Sequence, residues 1–246
     1  MSTLRLDAYV AKALPCSRAD AQRYIRGRHI AVGGEVVRDF AQHVADGADV
    51  TIDGTPLALP TLTLLVMHKP LGVVSSTADP RDRTVIDLVP EALARPGLAP
   101  IGRLDKDATG LLLLTDDGPL LHALTHPRRH VPRTYEVVHA RALVDDAAAR
   151  AAAGLVLADG TRCRPAEVTV LGPGRARVVV HEGKHHQVKR MIGALGGHVT
   201  ALHRSQFGAL ALPADLAEGD VRRLTDAEAA LVLGSVAGGP DEPNAT

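Results

Sequence analysis

The sequence has almost no aromatic residues: no tryptophan, 3 tyrosines and 2 phenylalanines among 246 residues. A protein that must hold a flat ligand against a ring therefore has few rings to use, namely Tyr9, Tyr24, Phe40, Tyr135 and Phe207. Cysteine is nearly absent too. Cys16 and Cys163 lie far apart and fit neither disulfide nor metal spacing, which points to a reduced cytoplasm. No apolar run approaches the roughly 18 residues a membrane span needs, and residues 1–7 carry charge early, with no apolar signal core. The formal net charge is zero, which argues against indiscriminate binding of polyanions. The sequence contains no internal repeat, phosphate loop, dinucleotide fingerprint or nucleophile elbow.

What is present is local. Apolar residues make up 46% of the chain, enough for a real core, and the length suits one medium domain with a small satellite. Cations cluster although the total cancels. Arg18, Arg23, Arg26 and Arg28 face only Asp20 across residues 17–28. Arg128, Arg129, Arg133 and Arg141 face only Glu136 across residues 122–141. Lys184, Lys189, Arg190 and Arg204 face only Glu182 across residues 181–206. Basic faces on a neutral chain suit a structured polyanion.

Residues 3–53 read as a compact unit. Leu4, Leu6, Tyr9, Val10 and Leu14 form a helical stripe that Pro15 ends. Ser17 is a good N-cap for a second helix with Asp20 at its N3 position, and Gly27 stops that helix. Its arginines fall near one side, which fits a solvated face as well as a phosphate-binding one. Gly33-Gly34 reads as a hairpin turn, and residues 49–52 as a further strand. Residues 54–60 look like a linker. Residues 62–67 begin a buried strand, 68–72 a turn and 85–89 a short helix. Residues 134–139 and 176–180 read as strands, and 145–153 and 188–195 as helices. Without a regular βαβ rhythm, the fold class is α+β with a largely antiparallel sheet. The tail is expected to be disordered.

The most informative segment runs from Gly102-Arg103-Leu104-Asp105-Lys106-Asp107-Ala108-Thr109-Gly110 through Leu111-Leu112-Leu113-Leu114 to Thr115-Asp116-Asp117-Gly118. It reads as a polar loop, a buried strand that gives the loop a rigid base, and a turn. If the loop is extended, Arg103, Asp105 and Asp107 share one side and Leu104 takes the other. By spacing alone the two carboxylates fit a metal site, an acid/base pair or plain surface charge. A second cluster, His181-Glu182-Gly183-Lys184-His185-His186-Gln187-Val188-Lys189-Arg190-Met191, contains a glycine that disfavours a helical zinc pair. It reads better as the basic start of a helix meeting phosphate. Tyr135 sits on a strand in basic surroundings, where a core tyrosine is the competing reading.

Taken together and in order, Gly102-Arg103-Leu104-Asp105 with Thr109-Gly110-Leu111-Leu112-Leu113-Leu114-Thr115-Asp116-Asp117-Gly118, then Gly183-Lys184-His185-His186-Gln187-Val188-Lys189-Arg190-Met191, then Leu202-His203-Arg204-Ser205-Gln206-Phe207-Gly208, resemble the motifs of bacterial pseudouridine synthases. The nearest group is the ribosomal small subunit pseudouridine synthase A family. Residues 4–53 resemble the small RNA-binding domain named after ribosomal protein S-four, with Ser17-Arg18 and Ile25-Arg26-Gly27 in its characteristic places. The resemblance implies an N-terminal helix-hairpin RNA-binding domain over 1–58, a catalytic domain on a mixed, largely antiparallel sheet over 62–235, and a tail over 236–246. It also implies an isomerase that turns a uridine of ribosomal RNA into pseudouridine, without cofactor or metal.

By the same resemblance Asp105 is the catalytic aspartate, Tyr135 packs on the target base, and Lys189 is the aspartate's basic partner. Asp107 has no implied part in the chemistry. Arg18, Arg23, Arg26, Arg28, Lys69, Arg103, Lys184, His186, Gln187, Arg190 and Arg204 are the expected RNA contacts. The implied partner is ribosomal RNA, 16S within a small-subunit assembly intermediate, and the implied state a cytoplasmic monomer with no membrane. The alternatives are a synthase acting on 23S RNA and a non-catalytic RNA-binding assembly protein. The short, slightly acidic C-terminus favours the small subunit over large-subunit relatives with long basic tails. His68, His185 and Gly33-Gly34 depart from the family pattern, where asparagine, tyrosine and an Asn-Gly or Asp-Gly turn are usual.

Overall fold

In a computed structural model, which describes residues 3–14, 16–45, 47–59 and 62–237, the chain divides at residues 61/62 into two compact units. The first contains strand β1 (Thr3–Arg5), helices α1 (Leu6–Ala13) and α2 (Arg18–Arg26), then β2 (Ile30–Val32), β3 (Glu35–Val36), β4 (His43–Ala45), β5 (Val50–Ile52) and β6 (Thr55–Pro56). β1 pairs with β4, and the other strands form a sheet in the order β3-β2-β5-β6. The Ser17 hydroxyl accepts from the Asp20 amide at 3.1 Å, and the Asp20 carboxylate accepts from the Ser17 amide at 3.3 Å. This closes a capping box and explains why α2 starts where it does. Gly33 and Gly34 have φ of +60° and +82°, as a tight hairpin turn requires. Ala21 and Ile25 turn inward onto Leu6, Tyr9 and Val10, while the arginines of α2 stay exposed.

Two expectations for this unit need correction, and a third cannot be compared. Leu4 belongs to β1 rather than to the first helix, because residues 3–5 extend along β4. Residues 54–57 are no linker. Thr55 and Pro56 pair with β5, and Leu57 is buried where its carbonyl accepts from the Tyr9 hydroxyl at 2.9 Å. Pro15, read as the helix terminator, lies outside the described residues.

The second unit holds β7 (Leu64–Lys69), β8 (Ala99–Pro100), β9 (Thr109–Thr115), α3 (Gly118–Thr125), β10 (Arg133–Ala140), α4 (Ala147–Ala153), β11 (Glu167–Gly172), β12 (Arg175–Val180), α5 (Gln187–Ala194), β13 (His198–Phe207), β14 (Leu210–Ala211), β15 (Val221–Arg223) and α6 (Asp226–Ala237). Nine strands form one sheet, in the order β11-β12-β10-β13-β9-β7-β15, with β8 on β9 and β14 on β13. Every pairing is antiparallel except β9 with β13. The sheet is thus mixed and largely antiparallel.

The leucine run explains itself once both faces are seen. Leu112 and Leu114 pack with Met67, Tyr135, Val178 and the α4 and α5 residues Ala151 and Met191. Leu111 and Leu113 pack on the other face with Val66, Phe207, Leu124 of α3 and Val232 of α6. A strand covered on both faces is apolar at every position, not at alternate ones.

Other expectations fail here for local reasons. Asp117 caps a helix instead of closing a turn, its carboxylate accepting from the Leu120 amide at 2.8 Å with Pro119 in the first turn. His68 and Lys69 continue β7 instead of starting the turn, paired with Leu111 and Gly110. Residues 226–237 form α6, which takes in residues 236 and 237 of the expected tail; the expectation of disorder over 238–246 lies outside the described residues.

Candidate active site

The polar loop ahead of β9 is clamped from beneath. The hydroxyl of buried Ser75 accepts from the Leu104 amide at 3.0 Å and donates to the Leu104 carbonyl at 2.8 Å. The Ala108 amide donates to the Asp105 carbonyl at 3.1 Å, and the Gly72 amide to the Lys106 carbonyl at 2.8 Å. Lys69 reaches up from β7 and donates to the carbonyls of Ala108 and Pro70 at 2.8 and 2.9 Å. Leu104 is buried, which leaves the neighbouring Asp105 side chain at the surface of a fixed turn.

β9 then enters the sheet through Gly110, at φ +110°. A Cβ there would stand 2.3 Å from the Arg204 carbonyl oxygen, so only glycine permits the approach. Gly110 pairs with Lys69 on one side and Arg204 on the other, and Arg204 pairs with Tyr135. One cross-sheet row therefore joins the root of the aspartate loop to Tyr135.

From the opposite side comes the start of α5. His186, its N-cap, is held at a left-handed φ of +49°, and Lys189 lies in the first turn. The Lys189 ammonium is 2.9 Å from Asp105 Oδ2 and 2.5 Å from Asp107 Oδ1. His186 Nε2 stands 3.5 Å from Asp105 Oδ1, with its ring stacked on His185 at 3.8 Å. The segment before α5 is braced by Glu182, which accepts from Gln187 Nε2 at 2.8 Å and the Arg164 amide at 2.9 Å, and also pairs with Lys184.

The electrostatics follow from these contacts. Burial works against the charge of Lys189, yet its bonds to Asp107 and Asp105 outweigh that and lift its pKa. The Lys189 hydrogen bond holds the Asp107 carboxyl below the usual range. Burial alone would raise the pKa of Glu182, but Lys184, the Arg164 amide and Gln187 bring it down. Burial pushes Lys69 down to about 8 despite the pull of Asp105 and Asp107. Burial, with Arg204 nearby, also lowers Arg133.

The structure thus brings Asp105, Lys189 and His186 together. Asp107, given no part in the chemistry above, also joins this cluster by sharing the lysine with Asp105. Tyr135 is buried in the core on one side of the sheet. Lys69, Gln187 and Arg204 are buried as well, contrary to the expectation of direct RNA contact. Their donors point inward: Arg204 Nε donates to the Leu111 carbonyl at 2.7 Å, while Arg204 Nη2 is buried with no hydrogen-bond partner among the described residues. Arg190 is tied to Asp159 at 2.5 Å and Lys184 to Glu182 and the Arg162 carbonyl. Arg103 and His186 are exposed, and so, in the first unit, are Arg18, Arg23, Arg26 and Arg28. Sequence reasoning missed Ser75 and Glu182. A serine in a Val-Val-Ser-Ser stretch gives no sign of a clamp, whereas Glu182, as the lone acid of a basic cluster, was a visible signal.

Comparison with known proteins gives the family. Residues 63–194 match the family model described as RNA pseudouridylate synthase, and residues 4–50 match that of the S4 domain. The chain is 43% identical to the ribosomal small subunit pseudouridine synthase A of Escherichia coli (strain K12), over 94% of this chain and 100% of that protein. It is 40% identical to the protein of the same name from Pseudomonas aeruginosa, over 92% of this chain and 98% of that one. A crystal structure of a pseudouridylate synthase superposes with a TM-score of 0.66 at 32% identity, covering 93% of this chain and 99% of that one.

Proposed function

The chain belongs to the RNA pseudouridylate synthase family and is an RNA isomerase, and from that premise we propose that it converts one uridine of 16S ribosomal RNA to pseudouridine with Asp105 acting on the sugar. The observation that carries the reading is the Asp105–Lys189 contact of 2.9 Å, formed between a clamped loop and the first turn of a braced helix. The reaction breaks the bond from C1′ to N1 of the uracil, turns the detached ring and joins C1′ to C5. The C5 proton is lost and N1 gains one, so atoms balance within the nucleotide and no co-substrate is consumed. A carboxylate fixed beside the sugar serves either as nucleophile at C1′ or as base on the sugar. Lys189 aims that carboxylate and balances its charge, and Tyr135 packs against the uracil while it is detached.

The uridine must leave its helix or loop to reach Asp105, so the RNA backbone has to be gripped nearby. Arg103 and His186 beside the site, and Arg18, Arg23, Arg26 and Arg28 on the S4 unit, are the exposed groups suited to it. No helix among the described residues is long and apolar enough to cross a membrane. We place the protein in the cytoplasm, acting as a monomer on a small-subunit assembly intermediate.

The test is to map pseudouridine in 16S and 23S RNA from cells with the gene, without it, and with Asp105→Asn. The expected result is one 16S position lost in both altered strains while purified Asp105→Asn still binds 16S RNA. A position lost only from 23S RNA overturns the choice of substrate, and pseudouridine made by Asp105→Asn overturns the role of the aspartate.

A further inference from the structure

Asp107 takes no part in breaking or making the glycosidic bond, yet it makes the shorter contact with Lys189, 2.5 Å against 2.9 Å for Asp105. Its side chain is also far more exposed, 74% against 26%. Asp107 and Lys189 line a groove of about 340 Å³ whose remaining lining is Gly193, Gly197 and residues 198–202 of β13. That volume is at the small end of the range for ligand pockets. Asp105 is not part of the lining, so the groove lies beside the reacting sugar, where a neighbouring nucleotide would be.

The groove's chemistry is selective. Gly193 and Gly197 project no side chain into it, Val199, Ala201 and Leu202 add aliphatic surface, and His198 and Thr200 add polar groups. β13 pairs with β10 along its length, but β9 joins it only at His203 and Arg204. Over residues 198–202 the other edge of β13 has no strand partner among the described residues. Such an edge offers a row of N–H and C=O groups. The lining includes the Asp107 carboxylate with its two acceptor oxygens, and because Asp107 and Asp105 share the single positive charge of Lys189 the trio stays net negative. A phosphate placed there would meet a like charge; a planar base with donors on its edge would not.

We propose that this groove receives a guanine adjacent to the target uridine, whose N1–H and N2–H groups donate to the two oxygens of Asp107. Guanine alone among the RNA bases carries two adjacent donors on its pairing edge, and a bidentate match of this kind discriminates strongly between bases. The inference rests on the pseudouridine synthase reading above and extends it from the chemistry to the choice of uridine.

The test uses the full chain and ligated 16S fragments in which the base beside the mapped uridine is guanine or inosine, which lacks the N2 amino group. The wild type is expected to modify the guanine substrate with a kcat/KM about tenfold higher. Asp107→Ala is expected to be slower on guanine and indifferent between the two, with Asp107→Asn in between. Because the ratio is taken within each variant, any general loss from releasing Lys189 cancels. The proposal is overturned if no guanine flanks the mapped uridine, if the wild type treats both substrates alike, or if Asp107→Ala discriminates undiminished. A wild-type chain that makes no pseudouridine in 16S RNA refutes the parent reading instead, which keeps the two failures apart.

Discussion

The two units hold similar cations and use them in opposite ways. In the S4 unit the side chains of Arg18 and Arg23 are 61% and 78% exposed, and their acidic partners Asp7 and Asp20 are on the same unit. In the catalytic unit Lys69 and Arg204 are 0% and 1% exposed and donate to backbone carbonyls. An exposed cation trades water for a phosphate at little cost, and its attraction fades with salt. A buried cation has no water to return to, so its bonds fix geometry rather than affinity. Position in the fold, not residue type, separates cations exposed enough to meet a phosphate from those that shape the site.

Lys189 is the residue on which this contrast is easiest to break, because it is charged, partly buried and shared by two carboxylates. We expect Lys189→Met to lower kcat about 100-fold, the order found when a preorganised electrostatic partner is removed. RNA affinity should shift less than about threefold, since only one potential phosphate contact is lost. Single-turnover rates and filter binding on 16S RNA separate the two quantities, and Lys189→Arg should recover part of the rate. Affinity falling as far as the rate would move Lys189 into the company of the N-terminal arginines.

A smaller effect is expected from Arg23→Gln or Arg28→Gln. Each should weaken RNA binding a few-fold and reduce the slope of log affinity against log salt by about 0.7–0.9. Folding stability should stay within about 0.5 kcal/mol, because an exposed pair such as Arg23 with Asp20 contributes little. Binding measured from 50 to 200 mM salt decides it. An unchanged salt slope would mean that these arginines only solvate their helix.

The contrast between units also explains what could be read from the sequence. The Ser17 cap, the Gly33-Gly34 turn and the leucine strand behind Asp105 are local patterns, fixed by neighbours a few residues away. The meeting of Asp105 with Lys189 was accessible only through resemblance, since the two residues come from separate elements. Burial of Lys69 and Arg204 was illegible because a cation that donates to distant carbonyls leaves no mark on its own neighbourhood. Asp117-Gly118-Pro119 serves equally as turn chemistry and as a helix start, and only the Leu120 amide decides between them. β13, the longest strand, hides in the polar-looking run His198-Val199-Thr200-Ala201-Leu202-His203-Arg204, because neighbouring strands and the site use its faces differently. Asp107 seemed redundant for the same reason: its partner lies on α5, far along the chain.

The last effect is a pH dependence that tests the buried side of the contrast directly. Burial pushes the pKa of Lys69 down to about 8, against an ordinary value of 10.5. Between those values the unfolded chain holds a proton that the folded chain has released. Stability contributed by this group therefore rises as pH goes from about 8 to about 10.5, and it is lowest below pH 8, where the buried amine is charged. Lys69→Met removes the titration and leaves the Ala108 and Pro70 carbonyls without their donor, a cost of about 1–3 kcal/mol that does not vary with pH. Urea unfolding of both proteins at pH 7, 8, 9 and 10 cancels every other titrating group in the difference. That difference should move in favour of the wild type as pH rises. A flat difference would mean that Lys69 titrates as an exposed lysine does, and the division between gripping and shaping cations would then lose its best-buried example.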